Sequence, residues 1–174
     1  IFIFGRDPVL AFGELICYFD RNNIASELLD FNEFGAVFET DLGEKWVDEL
    51  GGTIKIGKVE FDFEDFDEIE DSMLAPLDYL PEKFAFGINI YGKIEDDPAR
   101  DMLRIYFKKM RFKAFETRGE ESFNGCVQTL PSDIKRKKLV ESGSDFLFFK
   151  GEKKYFARTV AVSDTGGIEK RDLG

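Results

Sequence analysis

"IFIFGRDPVLAFGELICYF", Ile1 to Phe19, decides how this chain is read. Its first four residues are apolar without interruption, which marks a buried strand. Asp7-Pro8 then joins a helix-capping side chain to a proline at the first helical position, where its missing N–H is least needed. Val9, Phe12, Ile16 and Phe19 recur at steps of three and four, so the spacing predicts one apolar face on the following helix. Asn22-Asn23 ends it.

Working outward, "IASELLDFN" (24–32) and "FGAVFETD" (34–41) are strand-like runs joined near Asn32 to Phe34, which predicts a hairpin. "LGEKWVDELGG" (42–52) places Leu42, Trp46 and Leu50 four apart and ends in glycine, as a short helix does. "TIKIGKVEF" (53–61) closes the unit as a strand. The order β-α-β-β-α-β over residues 1–61 is the ferredoxin-like pattern. Residues 60–82 then hold ten acidic side chains and no basic one, with Pro76 and Pro81 near the end. Residues 62–82 read as an acidic connector and a domain boundary.

A second alternating unit is predicted over 83–163. "KFAFGINIYG" alternates as a strand, and Pro98 opens a helix with Ala99, Met102, Leu103, Tyr106 and Met110 on one side. "RFKAFETR" reads as a strand and Ser132 to Ser142 as a helix stopped by Gly143. "SDFLFFKGEKKYFARTVAV" reads as a hairpin turning at Lys150-Gly151-Glu152. Residues 164–174 read as the start of an interdomain linker.

The 174 residues include 20 phenylalanines, so aromatic packing is expected to dominate the core. No apolar run is long enough for a bilayer span and no secretory signal opens the chain, which reads as cytoplasmic. Cys17 and Cys126 are expected as buried thiols, with one disulfide left open. Charge is divided unevenly: residues 1–98 carry a net −17 and residues 99–174 a net +6, within a total of −11. The acidic half repels phosphate and the basic half attracts it.

Several chemistries are excluded. The chain has no histidine, so a Ser-His-Asp triad or a His-ligated zinc site is impossible. It contains no phosphate-binding glycine loop, and its five prolines are never adjacent, which rules out an Asp/Asn-Pro-Pro-aromatic loop. The acidic run from Asp62 to Asp71 lacks the glycine and terminal glutamate of an EF-hand. It reads as solvated surface, with a divalent-metal enzyme as a remote alternative. Catalysis is therefore not expected within this chain.

The basic residues form a pattern. Arg100, Arg104, Lys108 and Arg111 fall at steps of four, four and three, one stripe on the predicted helix. Lys113 and Arg118 extend it, Lys135, Arg136, Lys137 and Lys138 make a second cluster, and Lys153, Lys154 and Arg158 a third. Such convergent cations recognise phosphates, with Phe112, Phe115, Phe123 or Tyr155 as platforms for unpaired bases. The plainer alternative is a charged outer helix face over a phenylalanine core.

"FIFGRDPVLAFGELICYF", "LGGTIKIGKV", "FAFGINIYG" and "ARTVAVSDTGGIEKRD" follow one another in an order that resembles the N-terminal region of the THUMP-containing tRNA guanosine N2-methyltransferases. The resemblance covers nearly the whole chain. It implies an α+β chain, an N-terminal ferredoxin-like domain followed by a THUMP-like α/β domain that docks the acceptor end of tRNA. It also implies a partner methyltransferase domain, in the same chain or a separate subunit, using S-adenosylmethionine; no cofactor is expected on the present residues. The family's strand-and-joint motif resembles Thr159 to Val162 with Asp164, then Lys170, Arg171, Asp172 and Gly174. The expected RNA contacts are Arg104, Lys108, Arg111, Lys113, Arg118, Lys135, Arg136, Lys137 and Arg158. The competing expectation is a non-enzymatic protein-interaction module that uses the acidic half.

Overall fold

The structure is a computed structural model and describes residues 1–41, 45–117, 119–121 and 126–163. The chain is mixed α/β and divides into two compact units, Ile1–Gly57 with residues 160–163, and Lys58–Thr159. The acidic segment 62–82 belongs to the second unit.

The first unit contains β1 (Phe2–Phe4), α1 (Pro8–Arg21), β2 (Ser26–Asn32), β3 (Gly35–Thr40), the single-turn α2 (Trp46–Glu49) and the start of β4 (Thr53–Phe63). Its strands run in the order β2-β3-β1-β4, each antiparallel to its neighbour. The Asp7 carboxylate accepts the Leu10 N–H at 3.1 Å, capping α1 as the Asp-Pro pair predicts. The β2–β3 hairpin forms because Asn32 Oδ1 accepts the N–H groups of both Phe34 and Gly35. Gly35 has no alternative: a Cβ there would stand 2.3 Å from the Phe2 carbonyl oxygen.

Phe2 centres the first core, with its ring 5.7 Å from Phe19, 6.0 Å from Phe38 and 6.4 Å from Trp46. Burying each such ring contributes about 1.5–3 kcal/mol. The buried face of α1 differs from the expected one. Ala11, Leu15, Tyr18 and Phe19 are buried, whereas Val9 is 80% exposed and Ile16 40%. At about 100° per residue, the inward direction lies about 90° round the helix from the centre of the expected Val9, Phe12, Ile16 and Phe19 face, with Phe19 common to both. Cys17 is exposed rather than buried; Cys126 is buried, and neither forms a disulfide.

The second unit takes residues 58–63 of β4 and adds α3 (Asp71–Leu74), β5 (Lys83–Tyr91), α4 (Asp96–Lys109), β6 (Lys113–Thr117), β7 (Glu120–Glu121), β8 (Val127–Gln128), α5 (Pro131–Lys137), β9 (Asp145–Lys150) and residues 154–159 of β10 (Lys154–Val162). Its sheet is mixed. β5 runs parallel to β9 and to β6, β8 joins β5 antiparallel at Ile90 and Val127, and β9–β10 is the expected hairpin. The acidic segment is partly core, since Phe63, Leu74, Leu77 and Leu80 pack with Phe84, Phe86, Phe107, Phe146 and Phe156. The predicted helix from Ser132 to Ser142 is shorter in fact: Lys138 adopts a left-handed φ of 52° and closes α5 at Lys137.

One polar cluster is built into this second core. Asn89 donates to Asp145 Oδ1 and to the Phe146 carbonyl, both at 2.9 Å, and its own Oδ1 accepts the Thr129 N–H at 2.9 Å. Asn89 and Asp145 are fully buried. Burial of such groups is tolerated only because each is satisfied.

Candidate nucleic-acid interface

The basic stripe predicted on residues 100–111 lies on α4 and its C-terminal turn. Arg100 is the most enclosed member: its Nε meets Glu116 Oε1 at 2.5 Å, with only 17% of its side chain exposed. Arg104 shares the same carboxylate, Nη2 to Oε2 at 2.7 Å, but its side chain is 56% exposed. Glu116 of β6 thus holds the first half of the stripe in place. Lys108 and Arg111 are exposed and meet no acidic side chain among the described residues.

Arg111 occupies an unusual backbone position. The Phe112 N–H donates to the Phe107 carbonyl at 2.8 Å and the Arg111 N–H to Lys108 at 3.1 Å, closing α4 with a Schellman-type turn. The closing residue has φ 61°. Glycine is the usual choice there, and a residue with a Cβ costs about 1 kcal/mol. Phe112 locks the turn by packing edge-on to Phe84 at 5.8 Å.

Between α4 and β6 runs a groove of about 530 Å³ lined by Arg104, Lys108, Arg111, Phe112, Phe115 and Glu116. Strand alternation turns Ala114 and Glu116 toward α4 and puts Phe115 on the opposite side, at the rim. Phe115 is 56% exposed, with Lys83 Nζ 5.7 Å from its ring centre. β6 pairs only with β5 among the described residues, so this rim is a sheet edge. The C-terminus of α4 adds about half a negative charge, which the cations Arg104, Lys108 and Arg111 outweigh.

The other expected contacts are placed differently. Lys113 starts β6 and lies 3.5 Å from Glu82. Lys135, Arg136 and Lys137 are exposed on α5; Arg136 pairs with Asp133, and Lys137 Nζ donates to Thr117 Oγ1 at 2.9 Å, next to the end of β6. Arg158 stands on β10 with its guanidinium 2.5 Å from Glu60 and 5.1 Å from the Tyr79 ring centre. Burial alone would lower its pKa, but hydrogen bonds to Glu60 and Tyr79 prevail and hold it above the ordinary value. Arg118 and Phe123 lie outside the described residues, as do Asp164 to Gly174 of the terminal motif. Of the candidate stacking rings, Phe112 packs into the core and Tyr155 is buried, leaving Phe115 exposed.

Much of the third cluster, and Lys109 beside the first, are engaged by the acidic segment. Lys109 pairs with Asp71, Lys153 meets Asp62 at 2.9 Å, and Lys154 donates to the Glu64 carbonyl at 2.6 Å. The run expected as solvated surface therefore neutralises cations of its own unit. Glu116 and Lys83 were not singled out in the sequence; the alternation of β6 is the signal that could have found the first. Among the described residues no three Cys, Asp or Glu side chains converge as a metal site, and no helix is long and apolar enough to cross a membrane.

No protein-family model, curated protein or solved structure matches this chain.

Proposed function

We propose that the chain is the tRNA-binding portion of a tRNA (guanosine-N2) methyltransferase, with a ferredoxin-like unit followed by a THUMP-like unit. In this reading the second unit docks the acceptor end for a separate catalytic domain that uses S-adenosylmethionine. The observation that carries it is the α4–β6 groove, lined by Lys108 and Arg111, which have no acidic partners among the described residues, and by the exposed Phe115 at its rim. Cations take the phosphates there, and Phe115 offers a face to an unpaired base. Lys135 and Lys137 on α5 extend the track past Thr117. Arg158, Lys113 and Lys109, each facing a carboxylate, contribute less, because a phosphate must compete with that carboxylate.

Filter binding of tRNA with and without its CCA end tests the reading. Salt-dependent binding that weakens about tenfold or more on CCA removal is the expected result. Binding that is absent, or that ignores salt, overturns RNA binding; equal affinity for both tRNAs overturns acceptor-end docking.

A further inference from the structure

The first unit carries an uncovered apolar groove that the RNA reading does not use. Sheet strands lie about 4.8 Å apart and a helix is about 10 Å across, so one helix covers about two strands. α1 packs on β1 and β3. α2 is one turn long and adds Trp46 beside Tyr18 and Phe19, in the C-terminal half of α1. The face of β2 next to the N-terminal half of α1 has no helix over it among the described residues.

The result is a cavity of about 720 Å³ lined chiefly by Phe4, Pro8, Val9, Phe12, Leu28 and Phe31. Its outer members are well exposed: Val9 80%, Phe31 67% and Leu28 42%. Isolated apolar residues on a surface need no explanation, whereas a lined groove does. Leu28 and Phe31 share one side because the register of β2 shifts between Leu28 and Asp30. That bulge also disrupts the outer edge of β2 as a template for another strand. A helix, which needs no hydrogen bonds from the sheet, is the element this face lacks. β2, seven residues long, spans about 23 Å, the length of a helix of about 15 residues.

Charge selects the occupant. Glu33 is the charged side chain lining the groove, and residues 1–57 hold 11 acidic against 4 basic side chains. A second copy would bring the same negative surface to itself. We propose that this groove docks one amphipathic helix of a basic partner polypeptide, its apolar stripe on Phe12, Leu28 and Phe31 and a lysine or arginine facing Glu33. The proposal is independent of RNA binding, which concerns the other unit.

The test uses the full 174-residue chain and fluorescein-labelled 15-residue peptides of leucine and lysine, with leucine at positions spaced three and four apart. The expected result is saturable binding, at least tenfold weaker for a scrambled peptide of equal composition. Phe31→Ser, at an exposed position that should leave thermal melting unchanged, is expected to weaken binding tenfold or more. Glu33→Lys is expected to weaken it severalfold and to favour a leucine–glutamate peptide instead. Equal binding of the scrambled peptide, or unchanged binding by Phe31→Ser, overturns the proposal. So does sedimentation that shows a wild-type dimer and a Phe31→Ser monomer, which would assign the groove to a second copy.

Discussion

The first unit has few basic residues and leaves apolar side chains such as Val9 and Phe31 uncovered, whereas the second is rich in cations and keeps its described phenylalanines, Phe115 excepted, largely enclosed. In the second unit ion pairs join the acidic segment and the end of β4 to residues far along the chain, Asp62 with Lys153 and Glu60 with Arg158. Net charge by region is thus a poor guide to which cations meet a ligand. The informative quantity is whether a cation already has an anion, and on that measure Lys108 and Arg111 stand apart from Lys109, Lys153 and Arg158.

The cores differ as well. The first is aromatic and aliphatic around Phe2, while the second contains the Asn89 cluster. Asn89→Ala removes a donor from Asp145 and an acceptor from Thr129, leaving buried polar groups short of partners. The expected loss is about 3–5 kcal/mol by urea denaturation, with hydrogen exchange rising first in β5 and β9. A loss below about 1 kcal/mol would show that the polar cluster does not set the second core apart.

Tyr106 gives a smaller, pH-dependent contrast. Burial and a 2.6 Å hydrogen bond to Asp78 raise its phenol pKa above the ordinary value. A phenol whose folded pKa is raised stabilises the fold fully below its unfolded pKa, about 10, and loses that contribution as pH rises beyond it. Tyr106→Phe should therefore cost about 1 kcal/mol at pH 7 and reduce the alkaline fall in stability above pH 10. An unchanged alkaline profile in denaturation at both pH values would remove Tyr106 from this account.

Arg111→Gly separates binding from folding. Glycine relieves the left-handed backbone while deleting a cation, so folding stability should hold or rise by about 0.5–1 kcal/mol, with Tm unchanged or raised, while tRNA affinity falls. A variant that loses both stability and affinity would mean that Arg111 supports the fold and not the ligand.

Local chemistry was legible in the sequence where neighbours decide it. Asp7-Pro8 announced α1, Asn32 announced the hairpin, and the four-four-three spacing put Arg100 to Arg111 on one stripe of α4. The face of α1 was misread because Val9 and Ile16 are apolar but outward, a choice made by the sheet beneath and not by the helix. The length of α5 was misread because Lys138, unlike glycine, does not advertise a left-handed turn. The partners of Lys109, Lys153 and Arg158 were not legible, since each lies tens of residues away in sequence. Phe115 was one of four candidate rings, and burial set it apart from Phe112 and Tyr155, while Phe123 lies outside the described residues.

The salt dependence of tRNA binding by paired variants tests the central claim most directly. Lys108→Ala with Arg111→Ala should lower the slope of log K against log salt by about 2, since each lost phosphate contact removes about one. Lys153→Ala with Lys154→Ala, whose side chains already engage Asp62 and the Glu64 carbonyl, should leave the slope nearly unchanged. Equal reductions in both pairs, or a change only in the second, would contradict the assignment of the α4–β6 groove as the RNA-binding site.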